Sequence, residues 1–243
     1  MNKLLGLLLL LASASPAFAG TGSRDFVLAN TDAVVLSSAP AGSVPITLAI
    51  WSRSDSQTAT QSPMVLGRSL SVNPFVGIIY RGSTTDAVRV QHINDLGTVA
   101  FADSTTDYTA DKWEHTAGTF ATALQEVFFK GVEEAENAAT PGTTTLDRTA
   151  VGCWQTTIQA DHFSGELAEA RVYSKVLVDY EVKELHAGSF QTIVENLLVW
   201  WPLWDNGSPA TIQDLSGQNN DGTNDGTDEG ASTAPPRYAG GPM

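Results

Sequence analysis

The stretch WEHTAGTF at residues 113–120, followed by VFFKG at residues 127–131, decides the fold class of this chain. In the first stretch, Thr116, Gly118 and Phe120 recur at every second position after a tryptophan, which is the period of a β-strand with two different faces. The second stretch is short and aromatic and ends at a glycine, which is typical of a strand that enters a turn. Both stretches therefore predict β structure.

Similar stretches recur along the chain. They are short, rich in β-branched or aromatic residues, and bounded by turn-forming residues: residues 46–51 (ITLAIW), 75–80 (FVGIIY) and 87–93 (AVRVQHI). In the last of these, Val88, Val90 and His92 alternate with polar neighbours, as in a strand with one face in water. Many short strands at a spacing of about 8–12 residues predict an all-β sandwich or barrel.

One segment has a helical pattern instead. Residues 179–187 (DYEVKELHA) place Val182 and Leu185 three positions apart, begin with acidic residues and are followed by Gly188. Acidic residues suit the N-terminal end of the helix dipole, and glycine suits the position after the last turn. We predict one short surface helix there.

Residues 1–19 have the organisation of a secretory signal peptide. Lys3 precedes an almost unbroken apolar run over residues 4–14, and the segment ends in the small residues of an Ala-x-Ala cleavage site. The run is too short to cross a bilayer, and no later segment comes near the ~20 apolar residues that a transmembrane helix needs. We predict cleavage before Gly20, no membrane insertion, and a secreted, periplasmic or cell-surface location.

The remaining chain is acidic and has a single cysteine. Removal of residues 1–19 takes away Lys3 and leaves 224 residues with a net charge of −15. A surface this acidic repels phosphate backbones, which argues against nucleic acid as a partner. Because Cys153 is the only cysteine, no intrachain disulfide can form, and the stability of the fold has to come from packing.

Three blocks of the chain resemble the laminin-G-like (concanavalin A-like) jelly-roll family. They are the residues 113–131 quoted above, residues 163–173 (FSGELAEARVY), and residues 200–223, which contain WWPL and DLSGQNNDGT. The resemblance implies an all-β, two-sheet antiparallel jelly-roll sandwich over residues 20–216, with one short surface helix. Residues 217–243, rich in Gly, Asp and Pro, are then expected to form a loop and tail that close the sandwich.

The chain departs from the family pattern in block order and at two positions. The third block usually comes first but is last here, as in a circularly permuted domain, which a sandwich with neighbouring ends tolerates. Ala168 stands where the family commonly has an aspartate. Val178 stands where a serine commonly caps the helix, and the loss of that hydroxyl should cost the helix about 1 kcal/mol.

Calcium is the cofactor that the resemblance implies. Asp214, Asn219, Asn220 and Asp221 carry side-chain oxygens in a glycine-rich segment, and Asp32 offers a second, separate carboxylate. Calcium takes six to eight oxygen ligands, to which loop carbonyls also contribute. The spacing matches no EF-hand loop, and Asx-Gly pairs are ordinary turn formers, so a plain turn is the alternative.

No group of residues has the pattern of a catalytic centre. Glu134 and Glu136 would share one face of a strand, but apolar residues flank them where related glycoside hydrolases continue the carboxylate series. Glu166 and Glu169 are three apart and are predicted to point to opposite faces of a strand. Cys153 lies in an apolar strand, which is typical of a buried structural thiol.

The sequence thus predicts an exported, non-catalytic, lectin-like recognition module that binds a glycan or a protein ligand. A structural or adhesive surface module is the alternative, and a glycoside hydrolase is a third class. Trp200, Trp201 and Trp204 are a candidate sugar platform, but positions 200 and 201 face opposite sides of a strand, so core packing accounts for at least one of them. The sequence assigns no ligand-binding residues.

Overall fold

The computed structural model describes residues 23–27, 31–82, 85–155, 158–188, 193–203 and 210–229, and their strands form two large antiparallel sheets. The sheets pack face to face, and one helix, α1 (Asp179–Ala187), lies on the outer side of the first sheet. This architecture confirms the predicted all-β jelly-roll sandwich with a short surface helix. The predicted signal peptide lies outside the described residues.

Sheet A contains eight strands. They are β1 (Arg24–Phe26), β3 (Ile46–Ser54), β8 (Glu114–Phe120), β9 (Gln125–Phe129), β10 (Val132–Asn137), β14 (Gly165–Tyr173), β15 (Leu197–Trp201) and β18 (Asp228–Glu229). Their order is β10-β9-β8-β3-β14-β1-β18, and β15 also pairs with β14. The predicted strand at residues 113–120 is β8, which pairs with β3 on one side and β9 on the other.

Sheet B also contains eight strands, and a short hairpin accompanies it. The strands are β2 (Ala33–Leu36), β4 (Thr60–Gly67), β5 (Phe75–Arg81), β6 (Ala87–Ile93), β7 (Val99–Asp107), β11 (Arg148–Val151), β16 (Thr211–Ile212) and β17 (Gly222–Asp225). Their order is β16-β17-β2-β11-β4-β5-β6-β7. The hairpin consists of β12 (Trp154–Gln155) and β13 (Gln159–Ala160).

The inner faces of the two sheets form the main core, and the alternation that predicted β8 shows how. Phe120 is fully buried there, and Thr116 lies within hydrogen-bond distance of Tyr80 from the opposite sheet, with 3.3 Å between their hydroxyl oxygens. Gly118 lies between them, and a Cβ at that position would be only 2.6 Å from a methyl group of Val90. A glycine in the motif therefore lets the two sheets approach closely.

Strand β14 explains how a permuted block order still forms the sandwich. One edge of β14 pairs with β3, and the other edge is shared by β1 over its first half and β15 over its second half. The N-terminal and C-terminal parts of the chain thus lie end to end beside the same strand. In addition, Arg24 in β1 is paired with Glu229 in β18, which brings the two ends of the described chain together.

Helix α1 packs on sheet A through an apolar side. Val182 and Leu185 are buried against Ala49, Phe128 and Tyr173 of the outer face of the sheet. No side chain at Val178 caps the helix, as expected, but Glu181 accepts a hydrogen bond of 3.0 Å from the Val178 backbone N–H. Among the described residues, no helix is long and apolar enough to cross a membrane.

The C-terminal segment differs from the expected loop. Residues 222–225 form β17, which lies between β2 and β16, and residues 228–229 form β18 at the edge of sheet A. The local sequence is rich in turn formers, but an unfilled sheet edge offers backbone hydrogen bonds that override weak local preferences. The described part of the segment, up to residue 229, therefore adds one strand to each sheet.

Candidate functional site

The outer side of sheet B presents a row of side chains that the core does not use. Val90 and Ala102 are paired across β6 and β7 and face the core. Because side chains alternate along a strand, the next paired positions, Gln91 and Phe101, face outward, with Gly77 of β5 beside Gln91. We call this outer side of β5, β6 and β7 the open face.

A wall borders the open face. The β12–β13 hairpin lies over β4, and its Trp154 packs on Phe75 with ring centroids 4.1 Å apart and planes tilted by 55°. Trp154 remains partly exposed. Beside it, a Cβ at Gly77 would lie 2.8 Å from a methyl group of Val65, so only glycine keeps the floor of the open face flat at this point.

A fixed cationic group lies over the aromatic ring at the other side of the open face. The Arg89 guanidinium carbon lies 3.7 Å from the centroid of the Phe101 ring, which is 40% exposed. Arg89 also donates hydrogen bonds of 2.6 and 2.7 Å to the two carboxylate oxygens of Asp103. A second guanidinium group, that of Arg81, lies 3.7 Å from the same carboxylate. This network holds the ring and the donors in fixed positions.

The open face has the chemistry needed to bind a flat molecule rich in hydroxyl groups. The C–H faces of such a molecule can pack on the rings of Trp154 and Phe101, and its hydroxyl groups can bond to the Gln91 amide and the guanidinium groups. Trp154 packs over β5 and Phe101 lies on β7, two strands away, which is about 10 Å. This separation is comparable with the length of a disaccharide.

The predicted metal loop is held together by its own hydrogen bonds. One carboxylate oxygen of Asp214 accepts bonds from the backbone N–H groups of Trp200 and Ser216, at 2.8 and 2.9 Å. The other accepts bonds from the Ser216 hydroxyl and the Asn220 N–H, at 2.7 and 2.9 Å. These four donors occupy the lone pairs of the carboxylate, so Asp214 organises a turn that ties this loop to β15.

The other predicted ligands of the loop have different environments. Asp221 accepts a bond of 2.8 Å from the Asp214 N–H, and Asn219 is exposed with a left-handed backbone, φ 58°. Asn220 directs its amide to the Leu198 carbonyl at 2.8 Å, and its own carbonyl accepts a 2.9 Å bond from the Trp201 indole. The loop therefore brings Asp214, Asn220 and Asp221 together through hydrogen bonds.

Asp32 lies apart from this loop, at the opposite end of β17. Four residues of strand separate the two places, which is about 13 Å. Asp32 is 2% exposed, and one of its oxygens accepts a bond of 2.9 Å from the Val27 N–H. The other oxygen is buried without a hydrogen-bond partner, and it lies beside Gly226, where a Cβ would collide with it.

The acidic residues at Glu134 and Glu136 do not form a pair. Strand β10 has a bulge between Glu133 and Ala135, which breaks the alternation that would have placed Glu134 and Glu136 side by side. Glu134 accepts a hydrogen bond of 2.7 Å from the Thr106 N–H and thereby covers the free edge of β7. Glu136 lies instead with Glu133 and Glu126, whose carboxylate oxygens are within 4.8 Å of one another.

The prediction for Glu166 and Glu169 was wrong. Each precedes a residue of the main core, Leu167 and Ala170 respectively, so both carboxylates lie on the outer side of sheet A. The reason is a bulge at Glu169, which has a left-handed backbone with φ 57°. Glu169 forms an ion pair of 2.5 Å with Arg171 and accepts a hydrogen bond of 2.8 Å from the Trp200 indole N–H.

The remaining candidates occupy structural positions. Cys153 is fully buried, and desolvation raises the pKa of its thiol to about 12, so it stays protonated and unreactive. Trp201 is fully buried in the core, as expected for one of the adjacent tryptophans. Trp200 lies on the outer side of sheet A, where the guanidinium carbon of Arg171 lies 4.8 Å from the centroid of its ring. Trp204 lies outside the described residues.

Comparison with known families and sequences gives one match. The family model of the concanavalin A-like lectin/glucanase superfamily matches residues 28–183. No curated protein sequence matches the chain.

Several solved structures share the fold. A candidate carbohydrate-binding protein of Bacteroides ovatus superposes with a TM-score of 0.66 at 15% identity, over 88% of this chain and 61% of that protein, so this chain spans about three fifths of its length. A heptameric SAP-like pentraxin of Limulus polyphemus gives 0.65 at 10% identity, over 91% and 98% of the two chains. The CBM40 of a Ruminococcus gnavus IT-sialidase gives 0.53 at 14% identity, over 68% and 96%.

Proposed function

Since this chain belongs to the concanavalin A-like lectin/glucanase superfamily, we propose that it is an exported, non-catalytic lectin-like module that binds a glycan on its open face. The observation that carries the proposal is the combination on that face of two partly exposed aromatic rings with fixed polar donors. Apolar surface with a few convergent polar groups is the usual composition of a small-molecule site. The candidate carbohydrate-binding protein and the CBM40 support a glycan as the ligand.

The carboxylates support a non-catalytic role. Glycoside hydrolysis needs two carboxyl groups in one cleft, one of them free to transfer a proton. On the open face, the partner of Asp103 is Arg89, which binds both of its oxygens. Glu169 is likewise held by Arg171, and Glu134 by the edge of β7. Each of these carboxylates therefore has a structural partner.

Calcium is proposed at Asp32. Its buried oxygen without a partner is the group that a cation would satisfy, and the glycine at position 226 leaves that oxygen uncrowded by a side chain. At the predicted loop, in contrast, a calcium ion would have to displace the four donors that already bind Asp214. We therefore place the calcium proposal at Asp32 and assign the loop a structural role.

Trp154→Ala should weaken glycan affinity about 10- to 100-fold, because truncating a central aromatic contact costs on the order of 1.4–2.8 kcal/mol. A glycan array identifies the ligand, and calorimetry with the best hit measures the loss. Gln91→Ala, which leaves the packing of the hairpin intact, should cost about tenfold.

The matched control is Tyr180→Ala. Tyr180 is an exposed aromatic residue on α1, at 64% exposure, and it lies on the outer side of the opposite sheet. This variant should bind like the wild type. Equal affinities for the wild type, Trp154→Ala and Gln91→Ala would place the glycan elsewhere on the molecule.

Export is tested separately. The mature protein is expected to begin at Gly20, because the apolar run before it ends in a cleavage site for signal peptidase. The intact mass of the protein recovered from the exported fraction measures this directly. Exported material that still carries Met1 would contradict the signal peptide.

A structural or adhesive module is the second candidate, and one feature favours it. Leu70 and Leu96 are 86% and 91% exposed, on the loops that follow β4 and β6. The loops are neighbours, since a Cβ at Gly97 would lie 3.0 Å from the Asn73 amide. Such apolar side chains favour contacts with another protein surface. Two results together would favour this candidate. The wild type would bind no glycan on the array, and it would pull down a surface protein that Leu70→Ser does not.

A further inference from the structure

Three buried polar atoms in and beside the β12–β13 hairpin have no hydrogen-bond partner. They are the Ser62 hydroxyl oxygen, the Gln155 side-chain oxygen and the His162 Nδ1 nitrogen. The three residues are 0%, 8% and 8% exposed. Buried polar groups are nearly always paired, and an unpaired one opposes folding. These three atoms therefore need a hydrogen-bonding or coordinating partner from outside the chain.

Backbone hydrogen bonds bring the segments that carry these atoms together. The Ser62 N–H donates to the Asp161 carbonyl at 2.8 Å, so Ser62 lies beside Asp161 and the adjoining His162. Gln155 is paired with Gln159 in the hairpin, two residues before Asp161. The Phe163 N–H then donates to the Gly152 carbonyl at 2.8 Å, which closes the base of the hairpin.

A carboxylate completes the cluster. Asp161 has a left-handed backbone with φ 46°, and its side chain is partly buried. Burial raises the pKa of the Asp161 carboxyl, and the nearby His162 opposes that rise. Among the described residues, no ion pair satisfies this carboxylate. The cluster thus offers one negative charge and three neutral ligand atoms, and it lacks a cation.

We propose that Asp161, His162, Gln155 and Ser62 bind one divalent metal ion where the β12–β13 hairpin lies against β4. One imidazole nitrogen among oxygen ligands suits Zn²⁺ or Mn²⁺ better than Ca²⁺, which prefers oxygen ligands alone. The ion would use the atoms that lack partners and would fix the hairpin against sheet B. This site is separate from Asp32 and from the open face, although the hairpin also carries Trp154.

The test uses untagged protein that has been treated with a chelator and dialysed. Calorimetry should detect one equivalent of Zn²⁺ or Mn²⁺ per chain. At a hundredfold excess over Kd, the melting temperature should rise by about 5–10 °C, since the ion binds only the folded chain. The absence of a rise with both ions would overturn the proposal.

Two variants and a control assign the site. His162→Ala should lose the metal-dependent rise, whereas His186→Ala, which changes a partly buried histidine on α1, should keep it. Asp161→Asn preserves the fold because asparagine accepts a left-handed backbone, and it should lower the metal affinity at least about tenfold. A metal-dependent rise that persists unchanged in both His162→Ala and Asp161→Asn would contradict the proposal. Both results are independent of glycan binding.

Discussion

Asp214→Ala is expected to lower the free energy of unfolding by about 3 kcal/mol, which corresponds to a fall in melting temperature of about 6–12 °C. The carboxylate accepts four hydrogen bonds, three of them from backbone N–H groups, and removing it leaves those donors without a partner. Hydrogen bonds to a charged acceptor are each stronger than neutral ones, although the partial exposure of this loop allows water to replace some of them. Thermal and denaturant unfolding measure the loss.

The same experiment separates a turn from a calcium site. If Asp214 organises the loop through its own bonds, the loss is the same in calcium and in EDTA. A carboxylate that serves as a calcium ligand would produce a loss in calcium and little change in EDTA. Gln213→Ala is the matched control, because Gln213 is the exposed preceding residue and should be neutral in both buffers. A loss confined to calcium would return the metal to the predicted loop.

The fold could be predicted largely because its signals are local. The alternation of Thr116, Gly118 and Phe120 indicates the two faces of β8. The acidic residues at the start of α1 and the glycine after its end indicate a helix. The bulge at Glu169 could not be predicted, because its left-handed backbone results from fitting β14 between β3 on one edge and β1 and β15 on the other. Local periodicity does not contain that information.

The open face was also beyond local prediction. Gln91 and Phe101 are ten residues apart, and Trp154 lies more than fifty residues further along the chain. Their proximity depends on the register of three strands and on a hairpin of two-residue strands, which no periodicity signals. In contrast, Asp214, Asn220 and Asp221 are close in sequence, so their proximity could be predicted, but the hydrogen bonds that Asp214 accepts within the loop could not.

Acid should destabilise this protein through His92. The side chain is fully buried in the core, where its Nε2 lies 2.5 Å from the Thr144 hydroxyl oxygen and its ring meets the edge of Phe120 at 6.4 Å. Desolvation lowers the pKa of His92 to about 4, because the core cannot solvate an imidazolium. Histidine in the unfolded chain has a pKa of about 6.5.

The sign of the effect follows from these two values. Between about pH 6.5 and pH 4, the unfolded chain binds a proton at His92 that the folded chain does not, so stability falls as the pH falls. The full effect is about 3 kcal/mol, from roughly 2.5 pKa units at 1.36 kcal/mol each. Burial raises the pKa values of Glu114 and Asp161, so these carboxyls act in the opposite direction, and the effect of His92 has to be isolated by substitution.

The double variant His92→Leu, Thr144→Val isolates it. Removing both members of the hydrogen bond leaves no unpaired hydroxyl, and leucine fills a volume close to that of the imidazole, so stability at about pH 7 should change little. On going from about pH 7 to pH 4, the wild type should lose about 3 kcal/mol more than the variant, as measured by denaturant unfolding. His186→Ala should lose as much as the wild type. Equal losses in the wild type and the double variant would mean that His92 is protonated in the folded protein without penalty.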